Sequence, residues 1–64
     1  MKVERFIIEY ANSRIKQFME LKKEYPHQAE DFDRMINTCD KAVWMRKSGY
    51  CTADEAVRMI LEAR

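Results

Sequence analysis

Gly49-Tyr50-Cys51-Thr52-Ala53-Asp54-Glu55, residues 49–55, decides the fold of this chain, because it ends one helix and begins another within seven residues. Gly49, the only glycine, supplies the left-handed residue that terminates a helix at little steric cost. Thr52 is a good N-cap, and Glu55 stands three residues later, where a carboxylate reaches back to the cap amide in a capping box.

The pattern on both sides is helical. Ahead of the glycine, Ala29, Phe32, Met35, Ile36, Cys39, Ala42 and Val43 recur at threes and fours on one face. Glu30, Asp31 and Asp33 open that segment and Lys41, Arg46 and Lys47 close it, as the helix dipole favours. It begins at Pro26, the only proline, which suits a first helical position and disfavours the α conformation at Tyr25. The preceding segment carries Val3, Ile7, Tyr10, Ala11, Ile15, Phe18, Leu21 and Tyr25 on one side. Ile8 and Met19 widen that stripe, and Glu4 and Lys22 sit within the apolar arc near its ends. After the cap, Ala53, Ala56, Val57 and Ile60 form a short third line. Glu30 with Arg34 and Asp54 with Arg58 stand at i,i+4 with the acid first, the better order for an intrahelical pair.

The expected fold is therefore all-α and a single domain over residues 1–64. An antiparallel helical hairpin spans about 3–24 and 27–48, and a short third helix over about 53–63 packs across its open end. A chain of 64 residues buries only about 60% of the surface its unfolded form exposes, so a staple or a partner is expected. One histidine and two cysteines do not make a four-ligand zinc site. Cys39 in mid-helix and Cys51 beyond the helix end are expected too far apart for a disulfide, with Cys51 the more exposed thiol. No metal or other cofactor is expected. The N-terminal stretch lacks an unbroken apolar core and no later run reaches membrane-spanning length, so a complete, cytoplasmic chain is expected.

Catalytic chemistry has few parts to draw on. His27 is the only imidazole and sits at the turn beside Pro26, without a nucleophile and base at useful spacing. Cys39 lies on the core face, and Cys51 reads as a packing residue opposite Ala56. The carboxylates of Glu30-Asp31-x-Asp33 and Asp54-Glu55 lie in first helical turns, where acids are common for dipole reasons alone. The first cluster offers a negative patch to a basic partner.

Twelve basic and eleven acidic side chains almost cancel, which weakens any general attraction to nucleic acid. The turn before the third helix resembles a helix-turn-helix arrangement. In that motif the second helix leads with its N-terminus, and here that end carries Asp54 and Glu55 against outward Arg58 and Arg64. Lys2, Arg5, Lys16 and Lys23 share a face of the first helix, but Glu9 and Glu20 lie among them.

Apolar surface is left over instead. Phe6, Trp44 and Met45 lie off the core stripes, and Tyr50 follows the glycine; aromatics and Met outside a core line are enriched at interfaces. Trp44 and Tyr50 have a second reading as a cover for the third helix. The expected function is a small non-enzymatic helical protein that binds and modulates a protein partner, as an inhibitor or adaptor of the kind mobile genetic elements encode, and that forms a homodimer. Phe6, Trp44, Met45, Tyr50, Glu30, Asp31 and Asp33 are its candidate contact residues. The alternative is a small DNA-binding regulator built on a helix-turn-helix variant.

Overall fold

The computed structural model describes residues 3–63; Met1, Lys2 and Arg64 lie outside the described residues, and with them the basic contributions expected of Lys2 and Arg64. Three α-helices follow one another, α1 (Arg5–Glu24), α2 (Ala29–Lys47) and α3 (Ala53–Leu61), with a 3₁₀ turn at Pro26–Gln28 between the first two. The fold is 84% helical, with no strand among the described residues. The all-α hairpin with a shorter third helix is the expected architecture, with small changes at the ends. Val3 and Glu4 precede α1, the second segment enters through a tight 3₁₀ turn before becoming α-helical, and α3 stops short of Ala63.

Both breaks are built as the residues imply. Gly49 has φ 80°, the only positive φ among the described residues. Its amide donates to the Arg46 carbonyl at 3.2 Å and the Tyr50 amide donates to the Met45 carbonyl at 2.8 Å, the paired bonds of a Schellman stop. Tyr50 then stacks on Trp44, ring centroids 5.5 Å apart, which is the apolar contact such a stop commonly carries across the last turn. At the start of α3 the Glu55 amide donates to Thr52 Oγ1 at 3.2 Å and the Thr52 amide donates to Glu55 Oε1 at 3.1 Å, completing the capping box.

The core runs along the junction of the helices: Ile7, Ala11 and Phe18 from α1, Phe32, Cys39 and Ala42 from α2, Ala56 and Ile60 from α3, with Cys51 and Ala63 at its margins. Ala11, Ala42 and Ala56 are almost wholly enclosed, so the helices meet at small side chains and approach closely. Phe18 and Phe32 stack across the hairpin at 6.4 Å. The Arg14 guanidinium lies over Phe18, 4.8 Å from its centroid, and donates to the Ala63 carbonyl at 3.5 Å, while its buried Nε has no partner. That contact sets the far end of α3 beside the middle of α1, so α3 leaves the open end and runs back along one face of the hairpin.

Two expectations about the core are corrected. Cys51 is 8% exposed and buried, because the residue before a helix cap folds back over the first turn and here meets the core beside Ala56. Met45 is half-buried against the core instead of standing off it, because α3 covers that flank of α2. Cys39 is enclosed as expected, and burial pushes its thiol pKa up. Both thiols are free.

Candidate functional site

The hairpin is closed at each end by an ion pair that links its two helices. At the open end Arg46 grips Glu4 with two bonds, Nε to Oε2 at 3.0 Å and Nη2 to Oε1 at 2.5 Å, and its Nη1 also donates to the Cys51 carbonyl at 3.4 Å. The Arg46 hydrogen bonds, helped by Glu4's own backbone amide, hold the Glu4 carboxyl down at about 2, and Arg46 is held more firmly protonated in return. At the turn end Lys22 Nζ meets Asp33 Oδ1 at 2.8 Å. Glu4 and Lys22 are the two polar residues of the first apolar stripe, and each found a charge on α2 where solvent had been expected. Arg46, read from sequence as a dipole complement, is the link that pattern reasoning missed.

Those clamps frame a face that α3 does not cover. Ile8, Ile15 and Lys22 on α1, and Ala29, Ile36 and Val43 on α2, recur at intervals of seven, so each series keeps to one side of its helix. Ile15, Ala29, Ile36 and Val43 are half-buried, Ile8 is exposed, and Met19 is 53% exposed. At the turn end the face deepens into an open cleft of about 460 Å³ with Met19, Pro26, Ala29 and Ile36 as its apolar lining and Lys22, Lys23 and Asp33 at its rim. No residue of α3 lines it. Ile8 and Met19 had been assigned to the core stripe; a third helix of nine residues is long enough to cover one face of the hairpin, and the other stays open.

The expected contact residues do not gather in one place. Trp44 and Tyr50 are 57% and 70% exposed and stacked at the open end, and Trp44 borders the uncovered face next to Val43. Phe6 is more than half exposed on the first turn of α1 and joins no ring stack among the described residues. Glu30, Asp31 and Asp33 lie at the other end of α2. Asp33 is bound to Lys22 and Asp31 pairs with Arg34 at 3.8 Å, so two of the three carboxylates are met by cations within the chain. Arg34 takes Asp31 at i,i+3 in place of Glu30 at i,i+4, and Asp54 and Arg58 form no ion pair.

Comparison with protein-family models, curated proteins and solved structures finds no match. The chemistry therefore rests on the residues. Among the described residues no group of three or more His, Cys, Asp or Glu side chains is placed to hold a metal ion, and no helix is long and apolar enough to cross a membrane. His27 is exposed at the 3₁₀ turn, away from both buried thiols. In the first turn of α3, Glu55 is bound into the cap and Asp54 is exposed, so that helix leads with acid. What the arrangement offers is a long apolar strip with an indentation at one end and an indole at the other.

Proposed function

We propose that this chain is a small non-enzymatic interaction protein that binds a protein partner through the uncovered hairpin face and modulates it, as an inhibitor or adaptor does. The observation that carries the reading is Met19: a large apolar side chain, more than half exposed, in the wall of a cleft, on the face that lacks a third helix. Isolated exposed apolar residues are ordinary on small proteins, but a contiguous strip with a concave end is the kind of surface that a partner helix or loop fills. Met adapts its shape to what it meets, and Trp44 at the far end is the residue type that anchors interfaces. The reading extends to the cytoplasm as the place of action, where buried free thiols stay reduced. Nothing in the first turn of α3 favours the DNA-binding alternative, since its carboxylates would face phosphate.

The test is capture from the native host by tagged protein, read by quantitative mass spectrometry, with two matched variants. Met19→Lys and Leu61→Lys each replace an exposed apolar residue, and only Met19 belongs to the proposed face. Met19→Lys should lose the partner and Leu61→Lys should keep it. Equal recovery by both variants contradicts the proposal.

A further inference from the structure

The uncovered face is edged by two lines of charge at seven-residue spacing, Glu9, Lys16 and Lys23 along α1, and Asp33, Asp40 and Lys47 along α2. All six side chains are exposed, and Lys23 and Asp33 both stand at the rim of the cleft, which puts the two lines on opposite borders of the same face. The clamps Glu4–Arg46 and Lys22–Asp33 show which residues stand at the same height on the two helices. From the turn end to the open end, the α1 line runs positive, positive, negative. The α2 line runs negative, negative, positive.

We infer that the occupant of this face is a second copy of the chain, related by a two-fold axis running along the helices; this rests on the proposed use of the face and names its partner. Such an axis lays each α1 over the partner's α2 with heights preserved. Lys23 then comes within about one helical turn of the partner's Asp33, and Lys16 lies near the partner's Asp40. The Glu4–Arg46 clamp sets Glu9 about six residues, or ~9 Å along the axis, from the partner's Lys47, a gap that the two long side chains span, so every pair has opposite sign. A two-fold axis running across the helices at the height of Lys16 and Asp40 instead lays each helix over its own copy in reverse, so that Lys16 meets the partner's Lys16 and Asp40 the partner's Asp40, while Glu9 meets the partner's Lys23 and Asp33 meets the partner's Lys47. Only the first arrangement gives every pair opposite sign, which selects it.

The apolar centre agrees. Ile8, Ile15 and Met19 would lie against the partner's Val43 and Ile36, and the four helices of two hairpins would close into a bundle of alternating direction, with α3 outside it. The Cα extents are 37 × 17 × 15 Å, and a corrugated face of that length and width approaches the roughly 800 Å² per partner of a stable interface. Glu9 and Asp33 already have in-chain partners, Arg5 and Lys22, but those pairs are solvent-exposed and leave lone pairs for a second cation. With a net charge of +1, little long-range repulsion keeps copies apart.

Sedimentation equilibrium on the full chain tests this with Lys16→Glu and Asp40→Lys, both at exposed helical positions. The wild type should be dimeric. Each variant alone places two like-charged contacts in its own homodimer and should weaken self-association on the order of tenfold. An equimolar mixture of the two should recover a heterodimer of wild-type strength, because each meets its complement. A wild type that stays monomeric to millimolar concentration, or a Lys16→Glu dimer as tight as the wild type, overturns the inference. Loss of a captured host protein by Met19→Lys in a chain that proves monomeric would overturn the second-copy assignment while upholding the proposed use of the face.

Discussion

Removing the cap of α3 gives a prediction whose size follows from the structure. In Thr52→Ala the Glu55 amide loses the oxygen that accepts its bond at 3.2 Å, while the return bond from the Thr52 amide to Glu55 Oε1 has a backbone donor and survives in principle. One orphaned first-turn amide at an exposed cap costs about 0.5–2 kcal/mol, typically near 1. A helix of nine residues has no independent stability in water, so the loss is felt through its docking on the hairpin and not as local fraying alone. For a domain of this size about 1 kcal/mol lowers Tm by roughly 4–8 °C. Thermal unfolding followed by far-ultraviolet circular dichroism should show that drop, and Thr52→Ser, which keeps the acceptor, should recover most of it. An unchanged Tm in Thr52→Ala would mean that α3 is not held by its cap, and the helical stop and start at residues 49–55 would lose its place in the folding argument.

Further outcomes follow from the same geometry. Ile60→Ala removes a fully enclosed side chain where α3 meets the hairpin and should cost about 2–5 kcal/mol by chemical denaturation; a loss under 1 kcal/mol would show that α3 is loosely docked. Glu4 is ordinarily half-protonated at 4.5 and is held down to about 2, so its folded pKa is the lower one and its contribution is present above the ordinary value. That contribution should fade as pH falls from about 4.5 toward about 2, and Glu4→Gln should melt below wild type at pH 7 but converge with it at the acid end; a constant gap would refute the clamp. Cys39 and Cys51 are both buried, so an alkylating reagent should label both slowly in the native protein and rapidly after unfolding, whereas fast native labelling of Cys51 would place it outside the core.

The helices were legible because their boundaries are chemical: one glycine, one proline and a Thr-x-x-Glu box each do a local job that does not depend on the rest of the chain. The docking of the helices was less so. Periodicity grouped Ile8 and Met19 with the core because it reports only that a side is apolar, and the length of α3 decides which part of that side is covered. Met45 and Cys51 went astray for the converse reason: each borders the flank that α3 fills. The Glu4–Arg46 clamp joins residues 42 apart in sequence that meet at the open end of the hairpin, and no spacing rule along one helix reveals it. Trp44, Tyr50 and Phe6 are exposed as expected, Trp44 and Phe6 because they lie far from their core stripes and Tyr50 because it follows the helix stop at Gly49. Their separation from Glu30, Asp31 and Asp33 by most of the length of α2 shows that they do not form one site.

The most direct test of the uncovered face is relaxation of methyl protons by a soluble paramagnetic agent, measured on selectively labelled Ile, Met and Leu methyls of the wild type before and after assembly. Four reporters stand in known settings: Ile60 enclosed, Leu61 63% exposed beyond the face, and Ile8 and Met19 exposed on it. In the assembled state Ile8 and Met19 should fall toward the low relaxation of Ile60 while Leu61 stays high. Persistent relaxation at Ile8 and Met19, with protection appearing at Leu61 instead, would contradict the account and move the binding surface to α3.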